Sequence, residues 1–142
     1  MKTVRDILKV KGGEIWRIKP DASVFEALEL MAEKKVGALM VMDGERVAGI
    51  ISERDYARKI ILLGRSSPNT MVKEIMTSAV VYTHLEQPIE ECMALMTDKR
   101  IRHLPVMEEE KLVGVISIGD LVKSIIEDQK FIIEQLERYI TS

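Results

Sequence analysis

Cysteine is almost missing from this chain of 142 residues, and the one present, Cys92, has no partner for an internal disulfide. Set among apolar residues on a helical face, it reads as a small buried hydrophobe rather than a reactive thiol. Histidine is nearly as scarce. His84 and His103 are not spaced with Cys92 or with carboxylates as metal ligands would be, so no zinc centre is expected. An excess of charge of either sign is also missing: a net charge of −2 argues against a dedicated nucleic-acid binder, which carries a strong basic excess. No apolar run approaches the roughly 18–20 residues that span a bilayer, and Met1 to Asp6 lacks the apolar segment of a signal peptide. The expected location is cytoplasmic, with no membrane partner. Motifs of several enzyme classes are lacking too: there is no Gly-x-Ser-x-Gly elbow, no Walker-type Gly-Lys-Ser/Thr loop and no Gly-x-Gly-x-x-Gly fingerprint. An enzyme is not expected.

What the chain does have is a core and a repeat. Hydrophobic residues make up 46% of it, enough for one compact domain or two small halves sharing a core, and Met31, Met93 and Met96 fall at helical core spacing as gap-fillers. Two stretches, Gly49-Ile50-Ile51-Ser52-Glu53-Arg54-Asp55 and Gly114-Val115-Ile116-Ser117-Ile118-Gly119-Asp120, are copies of one another. In each, a glycine opens a run of branched apolar residues that reads as a buried strand. The run ends at a serine, and three positions on stands an aspartate where a helical pattern begins. Strand, tight turn and helix N-terminus together gather backbone N–H groups, the positive end of a helix dipole and a carboxylate. That set suits a ligand carrying both phosphates and hydroxyls.

In chain order, Val4 to Leu8 reads as a short helix released at Gly12-Gly13, and Ile15–Ile18 as a strand. Ser23 with Glu26 forms a capping box for a helix burying Val24, Ala27, Leu28 and Met31. Ala38–Met42 and Val47–Ile51 read as strands joined by the Asp43-Gly44 turn, followed by a helix from Glu53 to Leu63 that Gly64 stops. The pattern then restarts. Val72–Met76 matches Val4–Leu8 at an offset of 68, and Ile15–Tyr56 matches Val80–Leu121 without a gap at an offset of 65. Leu30, Met31, Lys34, Leu39, Val41, Met42, Glu45, Gly49, Ile51, Ser52 and Asp55 recur unchanged. This is an internal duplication of roughly 60 residues, too small a unit to bury its own sheet face, so it is expected to pair with its twin. In the second copy, strands are expected at Val80–Thr83, Leu104–Met107 and Leu112–Ile116, with helices after Pro88 and from about Ile118. The division expected is 1–64 for the first repeat, 65–71 for a linker, 72–127 for the second repeat and 128–142 for a C-terminal helical extension. In the extension, Ile132, Ile133, Leu136, Tyr139 and Ile140 share one face, to cover the core or to pack on a second subunit.

The duplicated order, with Arg102-His103-Leu104-Pro105-Val106 ahead of Gly114-Val115-Ile116-Ser117 and Asp120, resembles a pair of cystathionine β-synthase (CBS) domains, together a Bateman module, over Val4 to about Ile126. The Ser-Glu-Arg-Asp-Tyr-x-Arg-Lys stretch at 52–59 is similar to stand-alone CBS-pair proteins. The resemblance implies a mixed α/β (α+β) fold of two β-α-β-β-α repeats about a pseudo-twofold axis, plus the C-terminal amphipathic helix. It also implies a homodimer and clefts between repeats that take adenosine-containing ligands. Carried over by position, Asp55 and Asp120 would accept bonds from ribose hydroxyls, and Ser52 and Ser117 would hold the turns or touch phosphate. Asp120 would work with Ile15, Trp16 and the Val36-Gly37-Ala38 backbone, and Asp55 with Thr77, Val80, Val81 and Ile101. Arg102, His103 and Arg54 would supply charge to phosphates. Because Gly37-Ala38 stands where the second copy has Arg102-His103, the two clefts are expected to be unequal. Trp16 would stack on an adenine or block it.

Simpler explanations compete. Ser52 with Asp55 and Ser117 with Asp120 are also ordinary capping boxes. Lys99 to His103 is a short cationic run, with a phosphate ligand its first assignment, solvation its second and nucleic acid a distant third. The expected function is a non-enzymatic sensor of energy state that binds AMP, ADP or ATP and passes occupancy to a regulated protein. No cofactor is required, though magnesium would accompany ATP. NAD(H) and S-adenosylmethionine are competing ligands, and the alternative class is a structural or oligomerisation module with vestigial clefts.

Overall fold

The computed structural model describes residues 1–141. Its elements run α1 (Val4–Lys11), β1 (Arg17–Ile18), α2 (Val24–Lys34), β2 (Ala38–Asp43), β3 (Arg46–Ser52), α3 (Glu53–Tyr56), α4 (Val72–Ile75), β4 (Thr83–His84), α5 (Ile89–Lys99), β5 (His103–Glu108), β6 (Lys111–Ser117) and α6 (Ile118–Thr141). There are two three-stranded sheets, β1-β2-β3 and β4-β5-β6. In each, the first strand runs parallel to the second and the second pairs antiparallel with the third. The mixed fold and both β-α-β-β-α repeats are as expected from the sequence, but the opening strands are shorter. Only Arg17–Ile18 and Thr83–His84 pair, because each repeat enters its sheet along a parallel edge just two residues deep. The expected helix from Glu53 to Leu63 also changes character: after α3 the backbone widens into a π turn over Ala57–Ile61. A 3₁₀ turn at Ser67–Asn69 lies within the linker stretch.

The compact units are cut differently from the repeats in sequence. One comprises Met1–Glu14 with the residues from Val81 onward, and the other Ile15–Val80. Each repeat therefore gives its opening helix to the other. In unit 1, α1 contributes Val4 and Ile7 to a core with Ile89, Cys92, Met96, Leu104, Val106, Ile116 and Leu121. In unit 2, α4 contributes Val72 and Ile75 to a core with Val24, Ala27, Met31, Leu39, Val41, Ile51 and Ile60. Backbone bonds seat the exchanged helices in matching fashion: Val4 N–H donates to Gln87 O at 3.0 Å and Val72 N–H to Ala22 O at 2.8 Å. Cys92 is fully buried in this packing, and burial pushes its thiol up.

Two glycines make the exchange possible. A Cβ on Gly49 would stand 2.7 Å from Thr77 O and 2.8 Å from Met76 Sδ, and one on Gly114 would stand 2.8 Å from Leu8 Cδ2. The third strand of each sheet thus lies directly under the end of the exchanged helix. Gly49 faces a carbonyl that is itself tied to β3 by the Ile50–Thr77 bridge, whereas Gly114 faces only a flexible leucine tip. Gly49→Ala is expected to cost about 2–3 kcal/mol and Gly114→Ala about 1 kcal/mol, measured as urea-unfolding midpoints.

The two hairpins share a bulge, between Val41 and Met42 and between Val106 and Met107, but not a turn. Gly44 (φ 62°) turns the first, while Glu109 (φ 47°) and Glu110 (φ 66°) both adopt the left-handed conformation in the second. That two-residue turn favours Asn-Gly, since side-chained residues are strained there. Replacing Glu109-Glu110 by Asn-Gly is expected to stabilise the protein by about 1 kcal/mol, seen calorimetrically as a melting point about 3 °C higher.

Candidate functional site

The candidate site residues gather at two corners, one in each unit. At the first, Ser52 ends β3 and caps α3: its Oγ accepts from Asp55 N–H at 3.2 Å, while Ser52 N–H donates to Asp55 Oδ2 at 3.0 Å. At the second, Ser117 ends β6, its Oγ accepts from Asp120 N–H at 3.2 Å, and its N–H donates to Asp120 Oδ2 at 2.8 Å. Both corners are therefore reciprocal capping boxes, which hold each carboxylate in a defined orientation beside the strand end. The residues before the second strand complete the corner. Gly37 O accepts from Glu53 N–H at 3.1 Å, and Arg102 O accepts from Ile118 N–H at 2.8 Å. Ala38 pairs in register with Ser52, and His103 with Ser117.

What surrounds each carboxylate differs. Asp55 has Thr77 Oγ1 at 3.3 Å and Lys59 Nζ at 3.4 Å, both on Oδ1, and Arg54 lies in the same helical turn. Asp120 has Lys11 Nζ at 2.6 Å, and the same ammonium donates to Val115 O at 2.8 Å. Burial works to raise the Asp120 carboxyl, but the Lys11 hydrogen bond and the Ser117 N–H outweigh it and hold the group below the usual carboxylate range. Asp120 and Lys11 also form one end of a groove of ≈ 560 Å³ between α1 and the first turns of α6, lined in addition by Asp6, Lys9, Lys123 and Glu127.

His103 was expected to supply charge to a phosphate, and its surroundings act on its titration. Burial, reinforced by Lys11 and Arg102 and opposed by Asp120, lowers its pKa from 6.5 to about 4. At neutral pH the imidazole is uncharged in this structure, able to donate one hydrogen bond and accept another. The exposed Arg102 carries the charge expected of this pair.

The remaining candidates divide by unit. Thr77 and Val80 belong to unit 2 with Asp55, while Val81 and Ile101 pack against the core of unit 1. Ile15, Trp16, Val36, Gly37 and Ala38 lie in unit 2. Trp16 and Val36 pack against its core, and the Lys34 ammonium sits 4.7 Å from the Trp16 ring centroid, so one face of the indole is already covered. Two cations were missed in the sequence. Lys59 was legible as an i,i+4 partner of Asp55, whereas Lys11 reaches Asp120 from 109 positions away, through the helix exchange.

Two copies of the CBS domain model match the chain, at residues 4–62 and 72–127. The chain belongs to the CBS-domain family. CBS pairs are regulatory modules, and this is one. It is 38% identical over 148 residues to the mitochondrial CBS domain-containing protein CBSX3 of Arabidopsis thaliana, covering 97% of this chain and 71% of that protein. It is 54% identical to a protein with CBS domains from Burkholderia ambifaria MC40-6, with a TM-score of 0.87 over 90% of this chain and 96% of that one. The CBS pair of protein MJ0100, solved with 5′-methylthioadenosine and S-adenosyl-L-methionine, shares the fold at 22% identity, with a TM-score of 0.79 over 90% of this chain and 98% of that one. No helix of the described residues is long and apolar enough to cross a membrane, and no cluster of three or more metal-binding side chains occurs among them.

The depressed His103 has a consequence for stability. Below pH 6.5 the unfolded chain takes up a proton that the folded chain refuses until about pH 4, so stability falls as the pH drops through that window. The loss is expected to be on the order of 2–3 kcal/mol, allowing for partial exposure. Asp120 does not share the window: its lowered carboxyl contributes stability that is lost only below the ordinary carboxylate range. Urea midpoints compared at pH 7 and pH 4.5 are expected to fall less for His103→Gln than for wild type.

Proposed function

We propose that the module binds an adenosine-containing ligand, with AMP, ADP or ATP first, and that each corner aspartate receives the ribose. The observation that carries this is the pair of carboxylates, each locked in orientation by a serine and each already accepting from a polar side chain brought in by the exchanged segment. At Asp55 that side chain is the hydroxyl of Thr77, which a ribose hydroxyl replaces like for like. At Asp120 it is the Lys11 ammonium, which is released toward phosphate when ribose takes its place. The corners are therefore unequal ligand sites. Unit 1, with Lys11, Arg102 and neutral His103 near Asp120 and Ser117, suits the more highly phosphorylated ligand. Unit 2, with Asp55, Ser52, Arg54 and Thr77, suits the less charged one. Apolar strand edges receive the adenine: Ile15, Trp16, Val80 and the Val36-Gly37-Ala38 backbone in unit 2, and Val81 and Ile101 in unit 1. Magnesium arrives with the ATP phosphates. The adenosyl ligands held by the MJ0100 pair support the ligand class, and they keep S-adenosylmethionine, along with NAD(H), in competition.

Occupancy is passed to a regulated partner protein by a homodimer of this chain, through a change of conformational population on binding. A purely structural module is the second reading, favoured by the exposed apolar face of α6.

A thermal-shift panel of AMP, ADP, ATP, NADH and S-adenosylmethionine tests this on wild type, Asp55→Ala and Asp120→Ala. A ligand at about 100 times its dissociation constant adds about 2.7 kcal/mol, several degrees for a protein of this size, whereas losing a cap alone costs about 1 kcal/mol in every sample. One nucleotide should raise the melting point of wild type and lose that increment in one aspartate variant. No increment with any of the five, in folded protein, defeats the sensor and leaves the structural module.

A further inference from the structure

The family model ends at residue 127, and α6 does not. Lys2 Nζ meets Asp128 at 2.8 Å, and beyond that ion pair, from Phe131 to Thr141, every residue is exposed. Leu121 and Ser124 are the buried positions of α6, both in its first half. Beside them runs an exposed stripe that is apolar except at Gln129. Val122, Ile126, Gln129, Ile133, Leu136 and Ile140 alternate four and three positions apart, the spacing of a helix that packs along a second helix. Ile133 is 54% exposed, Leu136 56% and Ile140 78%, a run too long and too regular to be scattered surface apolars.

The flanks of this stripe indicate what covers it. Lys130 and Glu137 border it on the same side, seven positions apart, and neither forms an ion pair within the chain among the described residues. When two copies of the stripe run antiparallel with Ile133 of each against Leu136 of the other, Lys130 of each copy falls opposite Glu137 of the other, twice over. Gln129 then meets Ile140 near the helix end, where water reaches its amide. That register overlaps residues 128–141 of one copy with 141–128 of the other, which is the length of helix beyond the family module. A parallel pairing would set Lys130 against Ile125 and Glu137 against Ile132, leaving both charges without an opposite, and would bury two glutamines together.

We propose that the α6 tip is a self-complementary dimerisation helix whose partner is a second copy of this chain, paired antiparallel about a two-fold axis between Glu134 and Gln135. This deepens the homodimer proposed above by assigning its surface, and it does not depend on which ligand the corners take. The test is sedimentation equilibrium of the full chain with three kinds of variant. Leu136→Glu should convert dimer to monomer. Lys130→Glu and Glu137→Lys should each raise the dissociation constant about five- to tenfold, and the double reversal should return it to within about twofold of wild type. The charge variants leave the apolar seam intact, so they remain informative if Leu136→Glu disturbs the helix. A wild type that is monomeric at high micromolar concentration overturns both the homodimer and this interface. A dimer that survives Leu136→Glu, or single reversals without effect, overturns this interface while leaving a homodimer through another surface standing.

Discussion

The close passage of a helix end over a side-chain-free strand position is the constraint on which the architecture depends. Gly49 lies under Met76 and Thr77, and Gly114 lies under Leu8. A side chain at either position would press on the helix end and weaken the seat of the Val–Ile pair that closes each core: Val4 and Ile7 in one unit, Val72 and Ile75 in the other. The functional corners inherit their differences from the same passage. The chain leaving α4 carries Thr77 to Asp55, and the end of α1 carries Lys11 to Asp120. One exchange thus builds the fold twice and furnishes its two corners with different chemistry.

Electrostatics then separates corners that the backbone makes alike. The register of Ala38 on Ser52 equals that of His103 on Ser117, so substitution of a single position replaces a methyl group by an imidazole in the same seat. Burial and neighbouring cations keep that imidazole neutral. The second corner is cationic through Lys11 and Arg102, and its histidine is a neutral hydrogen-bonding group.

Much of this was legible in the residues. The Gly-x-x-Ser-x-x-Asp ending marked both strand-to-helix turns because the capping chemistry is local: a serine and a carboxylate three positions apart satisfy each other's N–H groups without help from elsewhere. The first hairpin was legible from its Asp43-Gly44 turn, and the second from the offset of 65 that carries the strand pattern over, since Glu108-Glu109 stands where the first copy has Asp43-Gly44. Three features were not. The opening strands shrank to Arg17–Ile18 and Thr83–His84 because a parallel edge pair is fixed by its partner strand rather than by its own apolar pattern. The π turn after Tyr56 leaves Ile60 buried and leaves Ile61, Leu62 and Leu63 exposed, a displacement of the apolar face that helical spacing cannot show. The trade of helices was hidden because Val4-x-x-Ile7 and Val72-x-x-Ile75 are equivalent, and equivalent segments fit either sheet by composition alone. Lys11 was hidden with it.

The trade of helices also orders events in time. Unit 2 is continuous, Ile15 to Val80, so all of its parts exist once residue 80 has been synthesised. Unit 1 is split, and α1, made first, has its seat made last. During translation at roughly 5–20 residues per second, the 41 residues from Val81 to Leu121, the last residue of the unit 1 core, take roughly 2–8 s. Throughout that interval Val4 and Ile7 have no core to enter, while the first repeat has already closed on α4. Val4 and Ile7 wait longest for their cover, because the strands and helices that make their seat follow the whole of unit 2 in the chain.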